Sequence, residues 1–138
     1  MNRLITIIFA TLGIIFVSPF LATSYGQQPS MIPDIRITSP SENQTIPIGN
    51  LKVYGTSNDN NRFNCEVSIV LNDVRPYQPV TPAGEGGKGD FSKWNYEFTP
   101  YYAQIKGGPN EIGAKIFCPE LAATVNNTSF YTVNVTGH

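Results

Sequence analysis

The sequence predicts an all-β fold, a single antiparallel β-sandwich of about seven strands that follows an N-terminal signal peptide. Three observations predict it. Apolar and polar residues alternate with a period of two along most of the chain after residue 34, and the 3.6-residue period of an amphipathic helix is not found. Turn-forming residues recur about every ten positions. No segment offers the crossover helices that a parallel sheet needs.

Residues 1–24 have the features of a secretory signal peptide in the usual order. Arg3 supplies a positive charge, an apolar run continues to Val17, and small residues precede a cleavage site after Ser24. The alternative is an uncleaved membrane anchor, because the apolar segment is close to the roughly 20 residues that span a bilayer. In both cases we expect a protein that is secreted or held at the cell surface, with no other contact to a membrane.

Two further segments complete the predicted organisation. Residues 25–33 are polar and contain prolines, which predicts a flexible lead-in. The domain at 34–138 is expected to hold all the strands. Its alternating segments are 34–38, 51–55, 64–71, 94–98, 111–118 and 131–135. Pro76, Pro79 and Pro82 make the segment around them a doubtful strand, because proline has no backbone N–H to donate to a sheet.

The composition argues against several classes of function. The chain carries 9 Lys and Arg against 10 Asp and Glu, a formal net charge of −1, so a basic surface that binds nucleic acid is not expected. The single histidine is His138, at the chain end, which argues against histidine-based catalysis and zinc binding. We therefore predict no catalytic residue, no metal site and no cofactor.

The two cysteines are predicted to form a disulfide. Cys65 alternates in phase with the apolar residues of its strand, and Cys118 does the same in a later strand, so both side chains should face the core. Exported chains meet an oxidising compartment, and only one intramolecular pair is available. A bridge across 53 residues stabilises a fold by about 4 kcal/mol in the chain-entropy model. The alternative is a pair of buried free thiols.

The order of the strand motifs resembles that of a known family. The motifs read I-x-I-x-S-P, L-K-V-x-G, V-x-I-x-L-N-D, W-x-Y-x-F, G-x-N-E-I-x-A-K and T-V-N-V, at 35–40, 51–55, 67–73, 94–98, 108–115 and 132–135. They are similar to the Ig-like (fibronectin- or cadherin-like) domains of bacterial and archaeal secreted or cell-surface proteins. The resemblance implies an Ig-like sandwich with a role in adhesion, spacing or presentation at a cell surface, and it carries no catalytic residues.

Three tyrosines are candidates for carbohydrate binding. Tyr77, Tyr101 and Tyr102 lie in segments without a clear inward phase, and exposed aromatic rings can stack on sugar rings. This predicts a carbohydrate-binding module as an alternative function, with an envelope polysaccharide as the partner in place of an extracellular protein. The rings could instead cover the edges of the core. A surface-filament subunit, which adds its lead-in or last strand to a neighbour's sheet, is a further alternative.

Four Asn-x-Ser/Thr sequences are candidate glycosylation sites. They begin at Asn43, Asn126, Asn127 and Asn134. Asn134 alternates with Val133 and Val135, so it is expected to face solvent. In an exported protein each site could accept a glycan, and the alternative is a chain that is simply rich in Asn and Thr.

Acidic and amide residues in the predicted turns are candidate calcium ligands. Asp59, Asn60, Asn61, Asp73 and Asp90 would supply oxygens if their loops met at one end of the sandwich. The spacing of an EF-hand is not found, and turn propensity explains these residues without an ion. We therefore expect the acids to be solvated surface residues, and we do not predict hydrolysis by a carboxylate pair.

The glycine-rich segment Gly84-x-Gly86-x-x-Gly89 matches a dinucleotide-binding motif by its letters. That motif works where a strand leads into a helix whose N-terminus receives a pyrophosphate. Here prolines precede the glycines and a strand follows them. We therefore predict a flexible connection within a hairpin.

Overall fold

The computed structural model describes residues 32–59, 61, 63–121 and 126–138. Within them the regular structure consists of nine strands and no helix, which confirms the predicted all-β class. The strands are β1 (Ile35–Ser39), β2 (Gln44–Ile46), β3 (Leu51–Ser57), β4 (Glu66–Leu71), β5 (Gln78–Pro79), β6 (Thr81–Pro82), β7 (Lys93–Phe98), β8 (Gly108–Phe117) and β9 (Thr128–Gly137). The predicted signal peptide and most of the predicted lead-in lie outside the described residues.

The strands form two sheets. The first sheet has the order β1-β3-β7-β6, and the second has the order β2-β9-β8-β4-β5. Neighbouring strands are antiparallel except β2 and β9, where Gln44 lies beside Val135 in a parallel register. The expectation of an antiparallel arrangement throughout is therefore wrong at this pair. The chain leaves the first sheet at the end of β1 and enters the second sheet at β2, across a short turn.

The proline-containing segment forms one outer edge of each sheet. β5 pairs with β4 at the edge of the second sheet, and β6 pairs with β7 at the edge of the first. Each of these strands has two residues and ends in a proline. Proline is tolerated at a sheet edge because no further strand needs its missing N–H. The prolines in the sequence therefore predicted correctly that this segment does not form a central strand.

One cluster of buried side chains receives residues from both sheets. Ile35 and Val53 reach it from the first sheet, and Ile69 and Ile116 reach it from the second. The predicted alternation holds in β3 and β8, where every second residue is buried; in β8 the buried Gly113 is an addition to this pattern. Complete burial of an aliphatic side chain stabilises a fold by about 1.5–3 kcal/mol, so this cluster is the main source of stability.

Trp94 is the largest fully buried side chain, and it lies against Gly55 of the neighbouring strand. A Cβ atom on Gly55 would lie 2.0 Å from Cζ2 of Trp94 and 2.4 Å from the carbonyl oxygen of Arg36. The indole Nε1 has no hydrogen-bond acceptor among the described residues, so packing alone holds the ring. The indole occupies the space that a side chain at position 55 would need.

Cys65 and Cys118 are both buried, as their phase predicted, and their sulfurs lie at bonding distance, 2.04 Å. Cys65 immediately precedes β4, and Cys118 immediately follows β8. These two strands are antiparallel neighbours, and Glu66 lies opposite Phe117 at the adjacent position. The bond therefore ties together two adjacent strands of the same sheet at their ends.

The loops gather at two opposite ends of the strands. The loop after β3 and the loop before β7 form the first, which we call the Asp90 end (residues 58–59, 61, 63–65 and 83–92). The hydroxyl of Ser57 donates to the carbonyl of Phe91 there, at 2.8 Å. The turns after β4 and β7 form the second, the Asn110 end (residues 72–77 and 99–110). At that end the Tyr102 hydroxyl donates to the carbonyl of Val74.

A buried amide organises the Asn110 end. The side-chain Nδ2 of Asn110 donates to the carbonyls of Lys106, at 2.8 Å, and Gly108, at 2.9 Å. Its Oδ1 accepts from the backbone N–H of Lys106, at 3.0 Å, and from Nδ2 of Asn72, at 2.9 Å. Buried polar groups are stable when they are hydrogen-bonded in this way. Asn110 therefore fixes the start of β8 to the turn after β4.

Candidate functional site

The outer face of the first sheet carries a shallow cavity of about 350 Å³. We call it the Tyr54 groove. The residues that line it are Thr38, Tyr54, Gly55, Thr56, Ala83, Lys93, Trp94 and Asn95. The volume falls at the lower end of the range found for small-molecule sites, about 300–1,000 Å³.

Strand register brings these side chains together. Tyr54 of β3 lies opposite Asn95 of β7, and Thr56 lies opposite Lys93. All four are on the side of the sheet that faces away from the core, because they alternate with buried residues. β1 pairs with the other edge of β3, and its register shifts between Ile37 and Ser39. Thr38, at this shift, is exposed and adds a hydroxyl to the groove.

The polar side chains of the Tyr54 groove are unpartnered within the described part of the chain. Thr38, Thr56, Lys93 and Asn95 make no side-chain hydrogen bond or ion pair with the described residues. Thr56 and Asn95 are nevertheless partly buried. The Tyr54 ring is 45% exposed, and the Lys52 ammonium lies 5.5 Å from its centroid. The groove thus joins one accessible aromatic ring to hydroxyl, amide and ammonium groups that are free to bind a ligand.

A second cavity, of about 450 Å³, lies beside β4 and β5 on the second sheet. Tyr77 and Lys115 contribute to its lining. Two cations approach the Tyr77 ring, the Arg75 guanidinium at 4.7 Å and the Lys115 ammonium at 5.0 Å from the centroid. These cation–π contacts use the ring faces that a sugar would need. Tyr77 is therefore less available for stacking than Tyr54, whose ring has one cation over it.

The three sequence-predicted tyrosines differ in their exposure. Tyr101 is fully exposed, whereas Tyr77 and Tyr102 are partly buried. The Tyr102 ring stacks on Phe98 with a centroid separation of 6.1 Å, and burial raises the pKa of its hydroxyl. Its hydroxyl also donates to the backbone of the turn after β4. Tyr102 thus contributes to packing at the Asn110 end, and sugar binding by the three rings stays a prediction.

The four candidate glycosylation sites lie at exposed or partly exposed positions. Asn134 faces solvent as predicted, but its Nδ2 donates to a carboxylate oxygen of Glu42 at 3.1 Å. Asn43 occupies the turn before β2 with a φ of 61°, and its N–H donates to the carbonyl of Asn134. Asn126 and Asn127 lie in front of β9. Glycan attachment at these positions stays a prediction.

The predicted calcium ligands do not all gather at one end of the strands. Asp73 follows β4 and lies at the Asn110 end. Asp59 and Asn61 precede β4, and they lie with Asp90 at the Asp90 end. Asn60 lies outside the described residues. Among the residues that the structure describes, no three His, Cys, Asp or Glu side chains are grouped as a metal site requires.

The expectation that the acids are solvated is wrong for two of them. Asp59 and Asp90 are buried, and each carboxylate accepts at least one hydrogen bond from the backbone of its own loop. The N–H of Asn61 donates to Asp59 Oδ1 at 3.1 Å. The N–H groups of Gly86 and Ser92 donate to Asp90 Oδ2 and Oδ1 at 2.8 and 2.9 Å. A short local sequence does not reveal this burial, because it arises only when the loop closes around the carboxylate.

The glycine-rich segment connects β6 and β7 as the predicted hairpin, but it is built around the Asp90 carboxylate instead of forming a loose connection. Hydrogen bonds from Ser92, then from Gly86, hold the pKa of Asp90 below its ordinary value of 3.8. A Cβ on Gly84 would lie 2.2 Å from the carboxyl carbon of Asp90. The glycines therefore make room for an internal carboxylate, and nothing in this arrangement resembles a nucleotide site.

Sequence reasoning did not identify the Tyr54 groove. Its one signal was the outward phase of Tyr54, between Lys52 and Thr56 on an alternating strand. That phase predicts an exposed aromatic ring but not its neighbours. Lys93 and Asn95 become its neighbours only through the pairing of β3 with β7, which lie some 40 residues apart in sequence.

A scan of protein-family models finds no match to the chain, and a search of the curated proteins finds no significant match. None of the described residues belongs to a helix that is long and apolar enough to cross a membrane. The cysteine pair at bonding distance is compatible with an extracellular protein.

Proposed function

We propose that this chain is a secreted or cell-surface protein whose Ig-like β-sandwich domain has a non-catalytic binding or adhesion role. The observation that carries the proposal is the strand order of the two sheets. An Ig domain places strands A, B, E and D in one sheet and strands G, F and C in the other, and variable-type domains add C′ beside C.

The order of the strands along the chain and their order within each sheet both agree with that scheme. When β1, β3, β7 and β6 are taken as A, B, E and D, the first sheet has the order A-B-E-D. When β9, β8, β4 and β5 are taken as G, F, C and C′, the second sheet has the order G-F-C-C′. The remaining strand, β2, adds to the outside of G. An unrelated topology would not be expected to match the Ig strand order in both sheets, because the strands lettered A to G here also follow one another in that order along the chain.

Two features differ from antibody domains. In those domains a disulfide joins strands B and F across the two sheets, and a buried Trp on strand C packs against it. Here Cys65 and Cys118 join the positions of C and F within one sheet, and Trp94 lies on the strand taken as E. These differences favour an Ig-like sandwich of a separate kind over a relationship to antibodies.

Export is supported by the cysteine pair and by the predicted signal peptide at 1–24. A disulfide persists in oxidising compartments and is rare in the cytosol. Binding is supported by the Tyr54 groove, where polar side chains without partners in the described chain surround an exposed ring. The buried carboxylates of Asp59 and Asp90 accept hydrogen bonds from backbone N–H groups of their own loops. These bonds favour a structural role for the two carboxylates over a role in acid–base catalysis.

The experiment that tests this function is co-sedimentation of the oxidised full-length protein with cell envelopes isolated from its host. We expect saturable binding that a reducing agent weakens once the domain unfolds. Envelopes treated with protease and envelopes treated with periodate separate a protein partner from a polysaccharide partner. Absence of binding to every envelope preparation would contradict the proposal, and so would recovery of the native protein from the host cytosol alone.

A further inference from the structure

We propose that the Tyr54 groove is a binding site for an acidic saccharide, such as a uronate unit within an envelope polysaccharide. This inference rests on the binding role proposed above and specifies the ligand class and the surface. Three observations carry it together: an accessible aromatic ring, a set of unpartnered hydroxyl and amide groups, and an unpaired ammonium group at the same cavity.

The hydrogen-bonding groups of the groove match a hydroxyl-rich ligand. Thr38 and Thr56 each carry a hydroxyl that donates and accepts, and the Asn95 amide also does both. Saccharide hydroxyls have the same dual capacity. A hydrocarbon in this groove would leave these groups without partners at a cost of about 1–3 kcal/mol for each buried one. The groove therefore favours a sugar over an apolar ligand.

The aromatic ring supplies the apolar contact that a sugar needs. Tyr54 is 45% exposed, and it projects from a central strand of the sheet. An aromatic side chain presents a rigid apolar face and a polar hydroxyl at once. The Lys52 ammonium lies over one face of the Tyr54 ring, and the C–H face of a pyranose can pack on the opposite face. Its hydroxyls can then reach Thr56 and Asn95, which occupy the adjacent register positions.

The charge at the groove favours an acidic ligand. Lys93 lines the cavity and makes no ion pair with a described residue. Arg36 lies in the same cross-strand row, on the other side of Thr56, and its exposed ion pair with Asp34 is 3.6 Å long. Such exposed pairs contribute at most about 1 kcal/mol. The Arg36 guanidinium also lies 5.6 Å from the centroid of the Tyr131 ring and does not line the groove, so its charge acts on a ligand only as a secondary contribution beside that of Lys93.

The acidic side chain on this face lies away from the row that holds Lys93. Among the described strand residues of the outer face, Glu97 is the carboxylate, and its register partner is Lys52. Glu97 is four positions along β7 from Lys93, roughly 13 Å in an extended strand. The Asp90 carboxylate interacts electrostatically with Lys93, and Asp34 pairs with Arg36, so each cation already has an acid nearby. Lys93 is nevertheless the charged residue that lines the groove, and it forms no ion pair with a described residue, so a ligand carboxylate would meet an ammonium group there.

The test measures binding of the oxidised full-length protein to immobilised polygalacturonate, alginate and hyaluronan, with neutral dextran for comparison. We expect binding to at least one of the three acidic polymers, weaker at high salt, and markedly less to dextran. Tyr54→Ala should weaken binding on the order of tenfold, whereas Tyr54→Phe keeps the ring and most of the affinity. Lys93→Gln should weaken binding and reduce its salt dependence.

Matched control variants keep this test specific. Phe130→Ala removes an exposed ring from the outer face of the second sheet, and Lys88→Gln removes an exposed ammonium from the loop before β7. Both should bind as the parent does. Tyr101→Ala tests the rival site, because it removes the fully exposed ring at the Asn110 end. Each variant should retain the Trp94 emission of the parent, which reports an intact fold.

The outcomes separate this inference from the proposed function. If the protein binds host envelopes but none of the three acidic polymers, the saccharide site is refuted and the binding role stands. The site is also refuted if Tyr54→Ala and Lys93→Gln bind as tightly as the parent, or if dextran binds equally well. If Tyr101→Ala alone loses binding, the sugar site lies at the Asn110 end. Failure to bind any envelope contradicts the proposed function itself.

Discussion

Replacement of Gly55 by alanine should destabilise the fold through a single methyl group. The new Cβ would lie 2.0 Å from Cζ2 and 2.2 Å from Cε2 of Trp94, whereas ordinary contacts lie at 3.4–4 Å. It would also lie 2.4 Å from the carbonyl oxygen of Arg36. The indole is 1% exposed and enclosed by the core, and a backbone oxygen moves only with its strand. Neither neighbour can give way without strain elsewhere.

The expected magnitude follows from these contacts. Overpacking of a core costs about 1–3 kcal/mol, and the backbone clash places Gly55→Ala at the upper end. Alanine also lowers the conformational entropy of the unfolded chain, which offsets less than about 1 kcal/mol of this destabilisation. A net loss of roughly 2–3 kcal/mol lowers the Tm by about 10–20 °C in a domain of this size.

The assay is thermal unfolding followed by fluorescence of Trp94, the single tryptophan of the chain, with circular dichroism as a second probe. Gly107→Ala is the matched control. A Cβ there would lie 3.5 Å from Cδ1 of Ile48, an ordinary contact, so its Tm should stay within a few degrees of the parent. Equal stability of the two variants would refute the packing of Trp94 against Gly55.

Three further predictions concern the loops and the cysteines. The pKa of Asp90 is lowered in the folded state, so its carboxylate stabilises the fold above about pH 4, and this contribution is lost as the pH falls through the folded pKa. Asp90→Asn should therefore lower the Tm at pH 7 and change it little near pH 2; an equal effect at both values would contradict this. Reduction of the Cys65–Cys118 pair should lower the free energy of unfolding by about 4 kcal/mol in denaturant titrations, and no change would show that the pair is not bonded. Asn110→Ala leaves partly buried backbone groups of Lys106 and Gly108 without partners and should cost about 2–3 kcal/mol in the same titration. Asn50→Ala, at an exposed amide, should cost little, and equal losses would contradict the role of Asn110.

The strands that the sequence predicts best are those with one buried face. In β4 and β8 every second residue is buried in the core cluster, although Val70 and Gly113, on the opposite phase, are buried as well. β2 escaped prediction because three residues, one of them buried, give no period to recognise. Its parallel pairing with β9 depends on residues about 90 positions away, which local patterns do not contain.

The candidate site was harder to predict than the fold for a related reason. The outward phase of Tyr54 is visible in the sequence, but the cavity exists only because β1 and β7 flank β3. Asp90 is a residue whose burial the sequence did not predict. Its polar surroundings predict an exposed turn, yet the closing of the loop buries its carboxylate among backbone N–H groups. Exposure of a polar loop residue is decided by long-range geometry more than by its neighbours in sequence.

The measurement that tests the central claim most directly is mass spectrometry of the native protein from fractionated host cells, with thiol alkylation before and after reduction. For an exported Ig-like domain we predict recovery in the envelope or the medium, no free thiol before reduction, and two afterwards at Cys65 and Cys118. The same spectrum locates the N-terminus, expected at residue 25 after signal cleavage. A cytosolic protein with two free thiols and residues 1–24 intact would contradict the account.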